Sequence, residues 1–103
     1  MQFKKILFIF FFLNFLGSAF ADPKMELGLD VFNKKAICSA CHTLENADAV
    51  GVIGPNLDEL KPLMPQVILS VTNGVGVMPA FESILSLEEI EAVAYFVSKS
   101  TSQ

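Results

Sequence analysis

The chemistry of this chain is concentrated in five consecutive residues, Cys38-Ser39-Ala40-Cys41-His42. They contain both cysteines and the single histidine of the sequence. The C-x-x-C-H spacing is the signature of covalent c-type haem attachment. Two thiols held two residues apart reach the two vinyl groups of a porphyrin and add across them as thioethers. The adjacent imidazole can then come under the iron, where a proximal histidine is the common ligand. Two other readings compete with this one. A bare C-x-x-C can be a thiol–disulfide redox pair, although such sites sit on α/β scaffolds and this chain shows no strand pattern of useful length. A zinc site would need carboxylates to complete its tetrahedron, because no further Cys or His exists.

One histidine fills one axial position of a haem iron. The other must come from a methionine, another donor, water or nothing. Beyond residue 21 the methionines are Met25, Met64 and Met78. Met25 lies on a helical apolar stripe and reads as core. Met64 opens a helix and can cap a pocket. Met78 sits in the uncharged loop Val75-Gly76-Val77-Met78-Pro79, 36 residues after His42. That separation lets it cross to the opposite haem face, so Met78 is the best-placed second ligand, with Met64 as the alternative and core filling as the structural role of any single Met.

These residues need elements to hold them. Asp22-Pro23 reads as an N-cap with proline at the first helical position, and Met25, Leu29, Phe32 and Ala36 continue a helix to about residue 36. Gly28 weakens that helix, which points to a close crossing with another. Residues 43–63 are punctuated by Gly51, Gly54, Pro55 and Pro62 and read as loop and turn. Met64–Thr72 forms a second helix, stopped by Asn73-Gly74. Ser86-Leu87-Glu88-Glu89 is a capping box opening a last helix to about Ser98, with Leu87, Ile90, Val93, Ala94 and Val97 turned inward. The expected fold class is all-α, with three to four short helices and loops around one covalent haem. A domain this small and this loop-rich needs a large central ligand to pack on.

The first 21 residues are a different object. They hold 15 apolar residues and seven of the ten Phe. Lys4 and Lys5 precede an apolar run from Ile6 to Leu16, and Ala19-Phe20-Ala21 follows with small residues at both positions that a signal peptidase reads. The run is short of the roughly 20 residues of a comfortable membrane span. Residues 1–21 are therefore expected to be a cleaved secretory signal and 22–103 a single domain. An uncleaved signal would remain as an N-terminal anchor.

Residues 22–103 carry 5 Lys, no Arg and 11 acidic residues. That balance excludes a nucleic-acid binder, which needs a basic patch. It favours a basic protein partner, because opposite net fields speed encounter.

The whole of 22–103 resembles the class I c-type cytochromes, the small single-haem electron carriers. Cys38–His42 resembles their haem-binding run. Gly54-Pro55-Asn56-Leu57 resembles the segment beside the proximal histidine, and 73–81 the axial methionine loop. Gly28 and Phe32 resemble the first-helix pair that crosses the last helix, where the resemblance puts Ala94 and Tyr95 against them. It implies a cytochrome c fold, haem c bound through Cys38 and Cys41, iron ligation by His42 and Met78, and a hydrogen bond from His42 Nδ1 to the Pro55 carbonyl. The strongly acidic balance departs from the Lys-rich faces common in the family. Residues 45–53 match no family feature.

The function expected is one-electron carriage between redox proteins in the periplasm, less readily in a thylakoid lumen, by a monomer that does not insert in a membrane once its signal is removed. Six-coordinate iron leaves no site for substrate, so an enzyme is not expected. The alternative is an electron-transfer subunit, or dedicated acceptor, of a periplasmic dehydrogenase or oxidase. A ligand-sensing haem protein would require Met78 to be off the iron.

Overall fold

The computed structural model describes residues 22–102. The expected secretory segment lies outside the described residues. The chain begins with helix α1, Pro23–Asp30, which widens into one π-helical turn over Val31–Lys35. Asp22 caps it as the sequence leads one to expect, its carboxylate accepting from the Lys24 N–H at 3.0 Å. A 3-10 turn, Cys38–Ala40, follows. Strands β1 (Thr43–Leu44) and β2 (Ala49–Val50) pair antiparallel, with Thr43 opposite Val50 and Leu44 opposite Ala49. The one-turn helix α2, Leu57–Leu60, is capped by Asn56 and ended by Lys61 in a left-handed conformation. Helices α3 (Met64–Asn73) and α4 (Leu87–Thr101) complete the fold. The stretch 43–63, expected as loop and turn, thus contains a minimal hairpin and a short helix.

Helix α4 is the centre of the bundle, packed against both α1 and α3. Its capping box forms in full: Glu89 N–H donates to Ser86 Oγ, and Ser86 N–H donates to Glu89 Oε1 at 2.9 Å. One face of α4 meets α1. A β-carbon on Gly28 would overlap the Ala92 carbonyl oxygen and the Phe96 β-carbon. Phe32 and Phe96 stack tilted, ring centroids 5.9 Å apart. Both rings are essentially buried, and each such burial contributes roughly 1.5–3 kcal/mol. The crossing expected at Gly28 is present, and Ala92 and Phe96 stand nearest to its missing β-carbon. Ala94 is fully buried, and Tyr95 reaches the start of α1, donating its hydroxyl to Asp22 Oδ2 at 3.0 Å. Leu87 also departs from expectation. It is 78% exposed, because the first residue of α4 overhangs the end of the core.

Candidate functional site

The π-turn delivers the chain to the attachment segment. The Ala36 N–H donates to the Val31 carbonyl at 2.8 Å, closing the wide turn. Ile37 then reverses direction with φ 54 and ψ 46, a left-handed conformation that is unfavourable for a β-branched residue. From it the 3-10 turn winds, and the amides of Cys41 and His42 both donate to the Cys38 carbonyl, at 3.1 and 3.0 Å. This compact turn sets Cys38, Cys41 and His42 along one wall of a cleft. The two cysteines are not bonded to each other. Burial pushes the Cys38 thiol up to about 11, offset in part by its backbone hydrogen bond. It is therefore protonated at neutral pH.

His42 is held from behind. Its Nδ1 lies 2.8 Å from the Pro55 carbonyl oxygen. A carbonyl can only accept, so Nδ1 carries the hydrogen and Nε2 keeps its lone pair. Gly54 makes this approach possible. A β-carbon there would stand 2.7 Å from His42 Cε1 and 3.0 Å from Nδ1. The Gly54 N–H also donates to the Cys41 carbonyl at 2.7 Å. Gly51 repeats the device one step earlier, its absent β-carbon leaving room for the backbone of Cys41 and His42. Residues 43–53, which include the stretch 45–53 that matches no family feature, thus form a clasp on the attachment segment. Thr43 Oγ1 donates to the Gly51 carbonyl at 2.8 Å, and Asp58 Oδ2 accepts from the Glu45 N–H at 2.8 Å.

The second wall comes from the end of α3. Gly74, at φ +76, turns the chain where a β-carbon would meet the Met78 carbonyl oxygen at 2.8 Å. Val75 and Met78 then exchange both backbone hydrogen bonds, at 3.0 and 2.9 Å, around a turn with Gly76 at φ +57. The Phe81 N–H donates to the Val71 carbonyl at 2.8 Å and ties the loop back to α3. Met78 is thereby fixed on the lining of the same cleft as His42.

The cleft has a volume of about 470 Å³ and is lined by Phe32, Val67, Val71, Val93 and Val97 besides the residues already named. All five residues singled out in the sequence, Cys38, Cys41, His42, Pro55 and Met78, border it. Met64 does not; it packs beside the core, as does Met25. Helix α4 serves two sides at once, with Ala92 and Phe96 toward α1 and Val93 and Val97 toward the cleft. Ile53, Leu60, Val75 and Val77 stand around the cleft with at least half of their surface exposed. A wide apolar cavity with two thiols on its wall, one imidazole lone pair available and exposed aliphatics around it fits a large flat apolar group of the haem kind. Sequence reasoning missed Gly51 and Ile37, since a glycine's close approach and an isoleucine's left-handed turn leave no local pattern.

Comparison with known proteins agrees with this geometry. The family described as "Cytochrome C oxidase, cbb3-type, subunit III" matches residues 23–97. The chain is 36% identical over 74 residues to cytochrome c6 of Leptolyngbya boryana, covering 68% of this chain and 85% of that one. It is 31% identical over 97 residues to cytochrome c6 of Synechocystis sp., covering 82% and 78%. Among solved structures, the c-type cytochrome SorU from Sinorhizobium meliloti superposes with a TM-score of 0.73 at 52% identity, over 78% of this chain and 93% of that one. The chain belongs to the class I c-type cytochromes. At the level of that family it is an electron carrier.

Proposed function

We propose that this chain is a periplasmic one-electron carrier, with one haem attached through Cys38 and Cys41 and with His42 and Met78 as the two iron ligands. The reading rests on one observation above all: a single apolar cleft gathers both thiols, the imidazole and the methionine. Bound there, the haem supplies a ferric–ferrous couple. The protein's part is positioning and exclusion. The Pro55 carbonyl fixes the His42 ring by its 2.8 Å hydrogen bond and raises its donor strength. Met78 offers a neutral thioether, which favours reduced iron relative to a second imidazole and sets a fairly high potential. The aliphatic lining keeps water away from both. Two protein ligands leave no position for a substrate, which suits a carrier.

Residues 1–21 act as a secretory signal removed after Ala21, and 22–103 form the single exported domain. Among the described residues no helix is long and apolar enough to cross a membrane. The family description that matches this chain also names an oxidase subunit; a protein acting in that way would stay with an oxidase through purification.

The test is a set of visible spectra on protein matured through export: oxidised, reduced, and reduced under carbon monoxide. Sharp low-spin bands, a weak far-red sulfur-to-iron band in the oxidised form and no response to carbon monoxide are expected. A high-spin spectrum or a ready carbon monoxide shift would replace the carrier reading with a ligand-binding one.

A further inference from the structure

Asn73-Gly74 ends α3 and begins the turn that carries Met78. Such a pair has a chemistry of its own. The backbone nitrogen after an asparagine can attack the side-chain amide carbon and close a five-membered ring. A glycine in second place leaves that approach unhindered, because it has no side chain. The described residues hold four asparagines, Asn33, Asn46, Asn56 and Asn73. Asn33 donates to the Ala47 carbonyl, Asn46 donates to Ser100 Oγ, and Asn56 accepts from the Glu59 N–H. Each of these is followed by a residue with a side chain, Lys34, Ala47 and Leu57. Asn73 alone among the described residues is followed by glycine, and its exposed carboxamide makes no hydrogen bond.

Two contacts decide what this pair does. The Gly74 N–H donates to the Ser70 carbonyl at 2.8 Å. The nitrogen that would attack is thus committed to the helix, and Asn73 is itself the last helical residue. Ring closure waits for that hydrogen bond to break, which happens first at helix ends. The second contact is crowding. At Gly74 a β-carbon would stand 2.8 Å from the Met78 carbonyl oxygen and 2.9 Å from the Ala80 nitrogen. Both obstacles are backbone, so an extra atom in the main chain at this point moves the segment that holds Met78.

We propose that Asn73 is a site of spontaneous deamidation, gated by the Gly74–Ser70 hydrogen bond, whose β-linked product displaces Met78; the displacement, though not the deamidation, rests on the iron-ligand reading above. When the end of α3 frays, the Gly74 nitrogen gives up its proton to water and bonds to Asn73 Cγ. The Cγ–Nδ2 bond breaks, and the side-chain nitrogen leaves as ammonia. Water then opens the resulting succinimide at one of its two carbonyls. Opening at Cγ restores the ordinary main chain and leaves an aspartate. Opening at the backbone carbonyl leaves isoaspartate, whose main chain runs through Cβ and Cγ and is one carbon longer. Water is the only co-reactant, and nothing is oxidised or reduced. The aspartate adds a negative charge at the C-terminal end of α3, an unfavourable but exposed position. The isoaspartate instead forces an added carbon into the crowded turn at Gly74.

The test ages the haem-loaded protein in mildly alkaline buffer beside a free peptide spanning residues 70–77, and maps aspartate and isoaspartate by mass spectrometry. Asn73 is expected to convert at least fivefold faster than Asn33, Asn46 or Asn56 of the same chain, and at least fivefold more slowly than in the peptide. Conversion no faster than at the other asparagines would overturn the site, and conversion as fast as in the peptide would overturn the gate. The isoaspartate fraction, once separated, is expected to lose the far-red sulfur-to-iron band and to bind carbon monoxide when reduced. Asn73→Asp, which has the charge without the added carbon, is expected to keep the band, and Asn73→Gln to keep it throughout ageing. An isoaspartate fraction with the parent spectrum, or an Asn73→Gln protein that ages into the same carbon monoxide-binding form, would overturn the displacement. A fresh parent that lacks the band and binds carbon monoxide would instead overturn the iron-ligand reading, while the conversion rates at Asn73 would still decide the site.

Discussion

Gly28 passes so close to Ala92 that a β-carbon on it would overlap the Ala92 carbonyl oxygen. The obstacle is backbone, which cannot rotate aside as a side chain does. Gly28→Ala therefore forces α1 away from α4 and loosens the Phe32–Phe96 pair. Overpacking of this kind costs about 1–3 kcal/mol, more than the ~1 kcal/mol that alanine returns in helix propensity. A thermal melt of the variant is expected to fall by several degrees, and an unchanged melting temperature would show that the crossing can relax.

Gly54 makes a second prediction because it lies on the His42 ring itself. Gly54→Ala pushes the imidazole off the line set by the Pro55 carbonyl. Haem loading is expected to fall, and the loaded fraction to show a broadened or high-spin spectrum. Serine at Thr43, by contrast, keeps the hydroxyl that donates to Gly51 and leaves the spectrum as it is.

Met78→Ala removes the thioether while leaving the Val75–Met78 backbone pair intact. The reduced variant is expected to bind carbon monoxide readily, and its reduction potential to fall by well over 100 mV, on the order of a few kcal/mol of lost preference for reduced iron. A variant that stays low-spin and inert to carbon monoxide would mean that another donor had taken the position.

Lys35 and Glu89 join the end of the π-turn to the first turn of α4. The lysine hydrogen bond, first among the causes, holds the Glu89 carboxyl below its ordinary 4.5, and the same bond raises Lys35 above 10.5. A depressed carboxyl stabilises the fold above its unfolded value and loses that effect as pH falls through the folded one. A raised lysine stabilises below its unfolded value and loses the effect as pH rises through the folded one. Glu89→Gln keeps an acceptor for the Ser86 N–H and removes the charge. Its melting temperature is expected to lie below that of the parent between about pH 5 and pH 10, with the two converging on both sides and at high salt. The pair is exposed, so the gap is small.

Tyr95 gives an optical handle on the other end of the α1–α4 contact. Its hydrogen bond to Asp22, the largest cause, raises the phenol above its ordinary 10.0. Phenolate absorbance is expected to develop later than in a free tyrosine, and Asp22→Ala to bring the midpoint back toward 10.0 while uncapping α1. The fold loses the tyrosine's contribution as pH rises through the raised value.

Much of this was legible from residue types. Cys38–His42, the Asp22 cap, the capping box at Ser86 and the stop at Gly74 are local devices, and each appears where the sequence puts it. What escaped depends on tertiary contact. A single inward stripe understates α4, because a helix wedged between α1 and a cleft buries more than one face, and Ala92 and Phe96 lie outside that stripe. The hairpin at 43–50 has two-residue strands, too short for an alternating pattern. The clasp that it forms is recognisable only once Gly51 and Gly54 are seen against Cys41 and His42.

Because α1 and α4 complete one another, the order of synthesis constrains when native packing can begin. A ribosome releases Phe32 long before Phe96. Until α4 emerges, α1 has no surface to lie on, and helices this short are marginal alone in water. Closure of the α1–α4 contact therefore waits for the arrival of α4.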